Sequence, residues 1–405
     1  MSAIPPTKEF VSGGMALSQP LSVGIVRGIQ YKTLQVNTTD SYPGLFKSTP
    51  QYIDFNFPCG PSSNALNYLN SAYIMIPFTN GDGTNAMKLL PTPFWFSTMS
   101  LMINDQPVIN YYPQGCMWGN NAVRSPAAAT TRNEFEAVTT TAAAYSVYSL
   151  AAGATKNFVI PLDNLTFLDK GVLLQGIKSK ISIRINFLPG SLILDSTSVA
   201  AYTSISVGTV QMICHGQKLA ESIYQTALLQ SQSVTTVIPI MQSYLKQVVA
   251  GPVTGGFASS SIIFNAQLLA AGMLFYVTES GAVKEAAIQP ADLDFLTLYD
   301  ASGQIYNLGE TDADLIRMSL TTLFPNTNVL LDASWLSKYY YMSFCKEAIP
   351  SIEGRIIHGM KYFEGTEKVQ ITPTASLTNG IINILQFSPM KTIISPEGIV
   401  SIVNL

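Results

Sequence analysis

Apolar and polar side chains alternate with a period of two through most of this chain, in short runs, and that pattern admits few architectures. In Ile181-Ser182-Ile183-Arg184-Ile185-Asn186-Phe187, four apolar side chains fall on one face and three polar ones on the other, as in a half-buried antiparallel strand. Ile381, Asn383, Leu385 and Phe387 oppose Ile382, Ile384 and Gln386, which predicts a strand apolar on both faces. Tyr340-Tyr341-Met342-Ser343-Phe344 has the aromatic content that strands favour. From Val23 to Val36 the apolar positions Val23, Ile25, Ile29 and Tyr31 shift phase to Leu34 and Val36, which predicts a bulge. Turn residues punctuate these runs at Asn80-Gly81-Asp82-Gly83, Pro189-Gly190-Ser191, Ala301-Ser302-Gly303 and Asn379-Gly380. Many short strands between such turns predict an all-β sandwich or barrel and not strand–helix–strand units.

Helical periodicity is confined to short stretches. Asp312 to Phe324 reads as a helix: Thr311 and Asp314 have capping-box spacing, Leu315, Ile316, Leu320 and Leu323 form a stripe, and Pro325 stops it. Lys218 to Gln230 carries Leu219, Ile223, Ala227 and Leu228 on one side, and a weaker pattern lies between Asn121 and Val138.

The chain also repeats a plan. Leu101 to Asn110 is a strand, a polar turn and a returning strand, and Leu298 to Asn307 has the same layout about half the chain later. Each is preceded by an apolar strand (Phe94 to Ser100; Leu293 to Thr297) and followed by a candidate helix. A Gln/Ser-rich stretch, Ser222 to Ser233, separates the strand Tyr202–Ile213 from a new one at Val237-Ile238-Pro239-Ile240. With 405 residues, two core-bearing halves are the expectation. We therefore expect two tandem eight-stranded jelly rolls with short helical insertions. Residues 1–20 form an N-terminal arm, 21–217 the first roll, 218–234 a linker, and 235–405 the second roll with a C-terminal tail.

Composition narrows the function. Apolar residues make up 47% of the chain and charged residues only 12%, where soluble domains carry roughly 25%. A surface so poor in charge suits a subunit whose walls are covered by other subunits, although abundant Ser, Thr, Asn and Gln also keep a chain soluble. A net charge of −3 without a Lys/Arg cluster argues against direct nucleic-acid binding. The N-terminus lacks the basic start and apolar run of a signal peptide, so synthesis in a cytoplasm is expected. The longest apolar stretch, Leu268 to Val277, is shorter than the about 20 residues a membrane span needs.

Chemistry-bearing residues are sparse. Cys59, Cys116, Cys214 and Cys345 lie far apart and read as free, mostly buried thiols. Cys214-His215 is a pair able to ligate a metal, yet no second pair stands at finger spacing, so His215 and His358 both read as structural. Asp292 with Asp294 and Asp312 with Asp314 have the spacing of catalytic carboxylates, but they fit a strand entrance and a helix's first turn better. Gly251-Pro252-Val253-Thr254-Gly255-Gly256 lacks the Lys-Ser/Thr of a phosphate loop. Trp95, Trp118 and Trp335 would serve a carbohydrate platform or, more often in β-rich chains, a core or interface. We expect no catalytic, cofactor-binding or metal-binding residues, no cofactor, and no enzyme.

Several segments resemble, in order, the double jelly-roll major capsid proteins of tectivirus-like icosahedral phages with an internal membrane. Ser22-Val23-Gly24-Ile25-Val26-Arg27-Gly28 looks like the opening strand, and Ala152-Gly153-Ala154-Thr155 is similar to the lead into a later strand of the first roll. Val237-Ile238-Pro239-Ile240 looks like the first strand of the second roll, and Phe324-Pro325 with Gly359-Met360-Lys361-Tyr362-Phe363 resembles its closing half. Pro5, Pro6, Gly13 and Gly14 depart from the helical arm that members often carry. The resemblance implies a virion location and a homotrimeric, pseudo-hexagonal capsomer that tiles an icosahedral shell. Its partners would be neighbouring capsomers, minor capsid and vertex proteins, and an internal membrane reached through the N-terminal arm. Two other readings stay open on the residues alone: a carbohydrate-binding or carbohydrate-cleaving β-sandwich, and a receptor-binding or vertex protein.

Overall fold

A computed structural model describes residues 30–37, 45–46, 51–61, 66–112, 139–141, 144–162, 167–253, 260–261, 269–279, 291–300, 303–308, 340–344, 361–362, 368–373 and 377–404. The frame is sixteen strands in two sets of eight. The first set is β1 (Gln30–Asn37), β2 (Gln51–Asn56), β3 (Tyr68–Asn80), β4 (Phe96–Ile103), β5 (Gln106–Tyr111), β6 (Thr155–Pro161), β7 (Ile181–Phe187) and β8 (Gln211–Lys218). The second is β9 (Thr236–Val253), β10 (Ser260–Ser261), β11 (Gly272–Glu279), β12 (Leu293–Asp300), β13 (Gly303–Leu308), β14 (Tyr340–Ser343), β15 (Lys368–Pro373) and β16 (Leu377–Ile394). A further strand, β17 (Val400–Asn404), follows them, and shorter pairings such as Met87–Leu89 with Tyr148–Leu150 decorate the frame.

Sheet order gives the architecture. In the first set one sheet runs β1–β8–β3–β6 and the other β2–β7–β4–β5, every pair antiparallel. In the second, the order is β9–β16–β11–β14 and β10–β15–β12–β13, the same arrangement shifted by eight strands. First pairs with last, second with second-last, and so inward, which is one long antiparallel ribbon rolled into two facing sheets. Each set is an eight-stranded jelly roll. The two repeated hairpins of the sequence, β4–β5 and β12–β13, occupy the same innermost rank in the two rolls.

Local chemistry explains the first hairpin. Its turn residues, Asn104 and Asp105, have φ of 50° and 65°, the left-handed geometry that a two-residue hairpin needs and that Asn and Asp tolerate. Along β7, Ile181, Ile183, Ile185 and Phe187 enter the core, and in-register pairing sets Arg184 of β7 opposite Asp54 of β2. The core of the first roll centres on Trp95. Its indole stands 5.3 Å from the ring of Phe46 and 4.7 Å from that of Phe158, and its Nε1–H donates to the Leu90 carbonyl at 2.7 Å.

Three sequence expectations are corrected. The phase shift expected as a bulge before Val36 is absent from the described part of that segment, because β1 pairs with β8 in unbroken register from Gln30 to Asn37. Strand β8 does shift register against β3: His215 pairs with Ser71 and Gly216 with Leu69, which leaves Asn70 of β3 as the extra residue, and a Cβ on Gly216 would stand 2.1 Å from the Tyr68 carbonyl oxygen. Asn379-Gly380 is no turn: Gly380 lies inside β16, flanked by Gly251 of β9 and Glu279 of β11, so sheet pairing on both sides overrides the local turn preference. Finally, Lys218 ends β8, and the helix starts later, at Glu221–Ser231. Ala227 of that helix is buried with Leu219, Tyr68 and Leu173, and Ile223 and Leu228 pack beside them, so the apolar stripe is correct and its start is not. The helix expected over 312–324 and the weaker one over 121–138 lie outside the described residues.

The long pair β9–β16 does more than close the second roll. Directly paired residues share a face, and one face carries Ile238, Ile240 and Gln242 of β9 beside Thr392, Met390 and Ser388 of β16. Ile238, Ile240, Met390 and Ile394 belong to the core of the first roll. Farther along the same face, Val248, Ile382 and Ile384 belong to the core of the second. Between these stretches lies a polar belt in which Gln386 Nε2 donates to Ser388 Oγ at 2.9 Å and Gln242 is buried. The two rolls therefore share a ribbon.

Removing the side chain at the centre of the first core tests this packing. Trp95→Ala is expected to lower unfolding free energy by about 3–5 kcal/mol, read from denaturant unfolding, because it leaves a cavity among Phe46, Phe78 and Phe158.

Candidate functional site

The adjacent cysteine and histidine that the sequence offers as a ligand pair are parted by the strand that carries them. Cys214 and His215 are successive residues of β8, and successive strand side chains point to opposite faces. Cys214 is fully buried in the first core, whereas His215 lies on the other face with its ring stacked on Tyr73 at 5.5 Å. His215 Nε2 stands 3.4 Å from the Tyr73 hydroxyl. This pair cannot close on one ion.

Cys59 is half-buried and Cys214 buried, both as free thiols. Burial pushes the Cys59 thiol far up from its ordinary range, with Cys214 adding a smaller upward push. Burial likewise pushes the Cys214 thiol up, to about 12. Asp292 is exposed just before β12. Among the described residues no three His, Cys, Asp or Glu side chains gather as a metal site. Cys116, Cys345, His358, Asp312, Asp314, Trp118, Trp335 and 254–256 of the glycine-rich segment lie outside the described residues. Trp95, one of the three candidate platform tryptophans, is core.

The broad surfaces are more informative than any cleft. The outer face of the β2–β7–β4–β5 sheet is a ladder of polar groups satisfied by each other. Arg184 Nε and Nη2 each donate to an Asp54 carboxylate oxygen at 2.7 Å, and Tyr52 lies under the guanidinium at 4.4 Å. Both ionic side chains are about a third exposed, so the pair adds little stability, on the order of 1 kcal/mol or less. Its effect is to cancel two charges on the sheet face. Asn186 Nδ2 donates to Thr98 Oγ1 at 2.8 Å, Ser100 Oγ to Asn110 Oδ1 at 2.7 Å, and Lys180 pairs with Asp105 at 2.7 Å. Tyr52, on the same sheet face, is exposed. Such a wall, with cancelled charge and an exposed aromatic ring, is suited to contact with another protein surface. Sequence reasoning missed this site because the pairing of Asp54 with Arg184, 130 residues apart, follows from sheet register and from nothing local.

No protein-family model matches the chain, and no curated protein matches it in sequence. Its fold does match solved structures. It superposes on a chain of the PBCV-1 virus capsid with a TM-score of 0.65 and 13% identity, covering 93% of this chain and 97% of that one. The Faustovirus major capsid protein matches with a TM-score of 0.57 and 8% identity, over 90% of each chain. The mavirus major capsid protein matches with a TM-score of 0.50 and 12% identity, over 95% of this chain and 91% of that one. At such identities the likeness is one of fold. The chain is a double jelly roll.

Buried thiols give a pH-dependent outcome. Below pH 9.0, the ordinary thiol value, the Cys214 contribution to stability is fully present, because folded and unfolded chains both hold the proton. As pH rises from there towards about 12 only the unfolded chain releases it, so stability falls across that window. At pH 8, alkylation read by peptide mass spectrometry should leave Cys59 and Cys214 unlabelled until denaturant is added. Labelling of Cys214 at the rate of a free thiol would contradict its placement in the core.

Proposed function

We propose that this chain is a major capsid protein, a structural and non-enzymatic subunit of a virion shell. The observation that carries the reading is the doubled strand order, two rolls of identical topology joined by a shared ribbon. The fold built on that order superposes on viral capsid chains over about nine-tenths or more of both partners. Two similar rolls side by side give one subunit two quasi-equivalent walls, so three copies about a threefold axis present a six-sided outline. The low charge of the whole chain and the self-cancelled wall of the first roll favour close side-to-side packing.

The finer parts of the proposal are a homotrimeric capsomer and icosahedral tiling, with vertex and minor capsid proteins as further partners. A phage host and an internal membrane reached by the N-terminal arm rest on the sequence resemblance to tectivirus-like capsid proteins. We place the boundary between the rolls within 218–234, and we assign no catalytic, cofactor or metal residue.

Light scattering of the purified chain, with electron microscopy of the same sample, tests this. The expected result is a mass of about three 43.8-kDa chains and six-sided particles. A monodisperse monomer that binds polysaccharide would overturn it in favour of a carbohydrate-binding sandwich.

A further inference from the structure

The C-terminal turn belongs to one roll by pairing and to the other by packing. β17 pairs with β16, Val400 opposite Ile394 and Asn404 opposite Met390, and so extends a sheet of the second roll. Yet Val400 is buried in the core of the first roll, and Ile402 packs against that core. Residues Ser395 to Ile399 make the turn between them, closed by Gly398 N–H to the Ser395 carbonyl at 2.8 Å and Ser395 N–H to the Ile399 carbonyl at 3.0 Å.

This turn is fastened to the first roll through backbone. The Gly398 carbonyl accepts from Lys178 N–H at 2.8 Å and from Ser179 N–H at 3.3 Å. Val400 N–H donates in return to Ser179 Oγ at 3.0 Å, a buried contact joining residues 221 positions apart. Gly398 has φ of +80°, and a Cβ there would stand 2.2 Å from the Gly176 carbonyl oxygen. Only glycine suits that position, for conformation and for space. The outer side is bare: Ile399, Ser401 and Val403 are exposed. The fastening is thus a single row of anchors under an uncovered strand, across the joint between rolls.

We propose that residues 395–404 are a strap that closes last over the joint, fixing the angle between the two rolls, and that shell assembly requires it closed. The assembly clause rests on the capsid reading; the strap itself does not. An open strap leaves the rolls joined through the β9–β16 ribbon and through the helix Glu221–Ser231, which touches residues 174–176, and it removes the backbone ties at Lys178 and Ser179. A particle lattice needs one fixed angle between its two quasi-equivalent walls, so closure is a gate on assembly.

Native-state hydrogen exchange on the full chain, with sedimentation of assembled material, tests the strap. Gly398→Val and Ser179→Ala are compared with wild type and with Val403→Thr, a change on the outer side. We expect exchange in peptides spanning 176–180 and 395–404 to quicken at least ten-fold in Gly398→Val and several-fold in Ser179→Ala. Exchange in β4 and β5 and in the Val403→Thr protein should stay as in wild type, and the assembled fraction should fall about ten-fold in Gly398→Val. Unchanged exchange at 176–180 in both variants would overturn the strap. Faster exchange with wild-type assembly would overturn its gating role. If Gly398→Val aggregates, Ser179→Ala decides by the same two readouts. If wild type itself never assembles, the capsid reading fails, and the strap is still judged by exchange alone.

Discussion

Two strands of eighteen residues each, β9 and β16, run antiparallel along nearly their whole length and place side chains from one face in both hydrophobic cores. Ile240 and Met390 fill the first roll, while Ile382 and Ile384 fill the second. A sheet extended beyond the roll it closes is an economical joint, because backbone pairing holds the ribbon straight while its two ends are buried in different cores. The polar belt at Gln242, Gln386 and Ser388 marks the crossing point between them. It breaks what would otherwise be one continuous apolar face and leaves each core separately closed. A second contact stiffens the joint: Ser243 Oγ of β9 donates to the Asn110 carbonyl of β5 at 3.2 Å.

With the joint fixed, the rest of the design concerns surfaces. On the outer face of the β2–β7–β4–β5 sheet, polar side chains such as Asn186 with Thr98 and Ser100 with Asn110 satisfy one another. Charge is spent in pairs such as Arg184 with Asp54, so the wall offers neither strong repulsion nor a strong non-specific attraction to a copy of itself. Assembly from such walls depends on shape and on many weak contacts, each reversible, which lets misplaced subunits leave. A rigid angle between the rolls then matters more than any single contact.

Much of the fold was legible in the sequence because strands announce themselves by alternation. Ile181 to Phe187 lies where its pattern puts it, and the two hairpins at Leu101–Asn110 and Leu298–Asn307, with their matched neighbours half a chain apart, reveal the tandem plan. What failed were features set by neighbours in space. Asn379-Gly380 looks like a turn until strands on both sides claim it, and the register shift of β8 against β3 follows from a pairing partner about 145 residues away in sequence. The shared ribbon was half visible: the two-faced apolar pattern of 381–387 predicts burial on both sides, but no local signal says that the continuation at Met390 and Ile394 serves a different core. The candidate surface was illegible for the same reason, since its Asp54–Arg184 and Thr98–Asn186 partners meet only through register. The apparent Cys214-His215 ligand pair dissolves once strand alternation is applied to it.

The most direct test of the account is a three-dimensional reconstruction, by electron cryo-microscopy, of the arrays or shells that the purified chain forms. The account predicts three subunits per capsomer, each contributing two β-sandwiches that stand upright side by side, with the β9–β16 ribbon crossing between them. Sandwiches lying flat in the shell, one roll per capsomer wall detached from its partner, or a sample that forms no ordered assembly at all would contradict it.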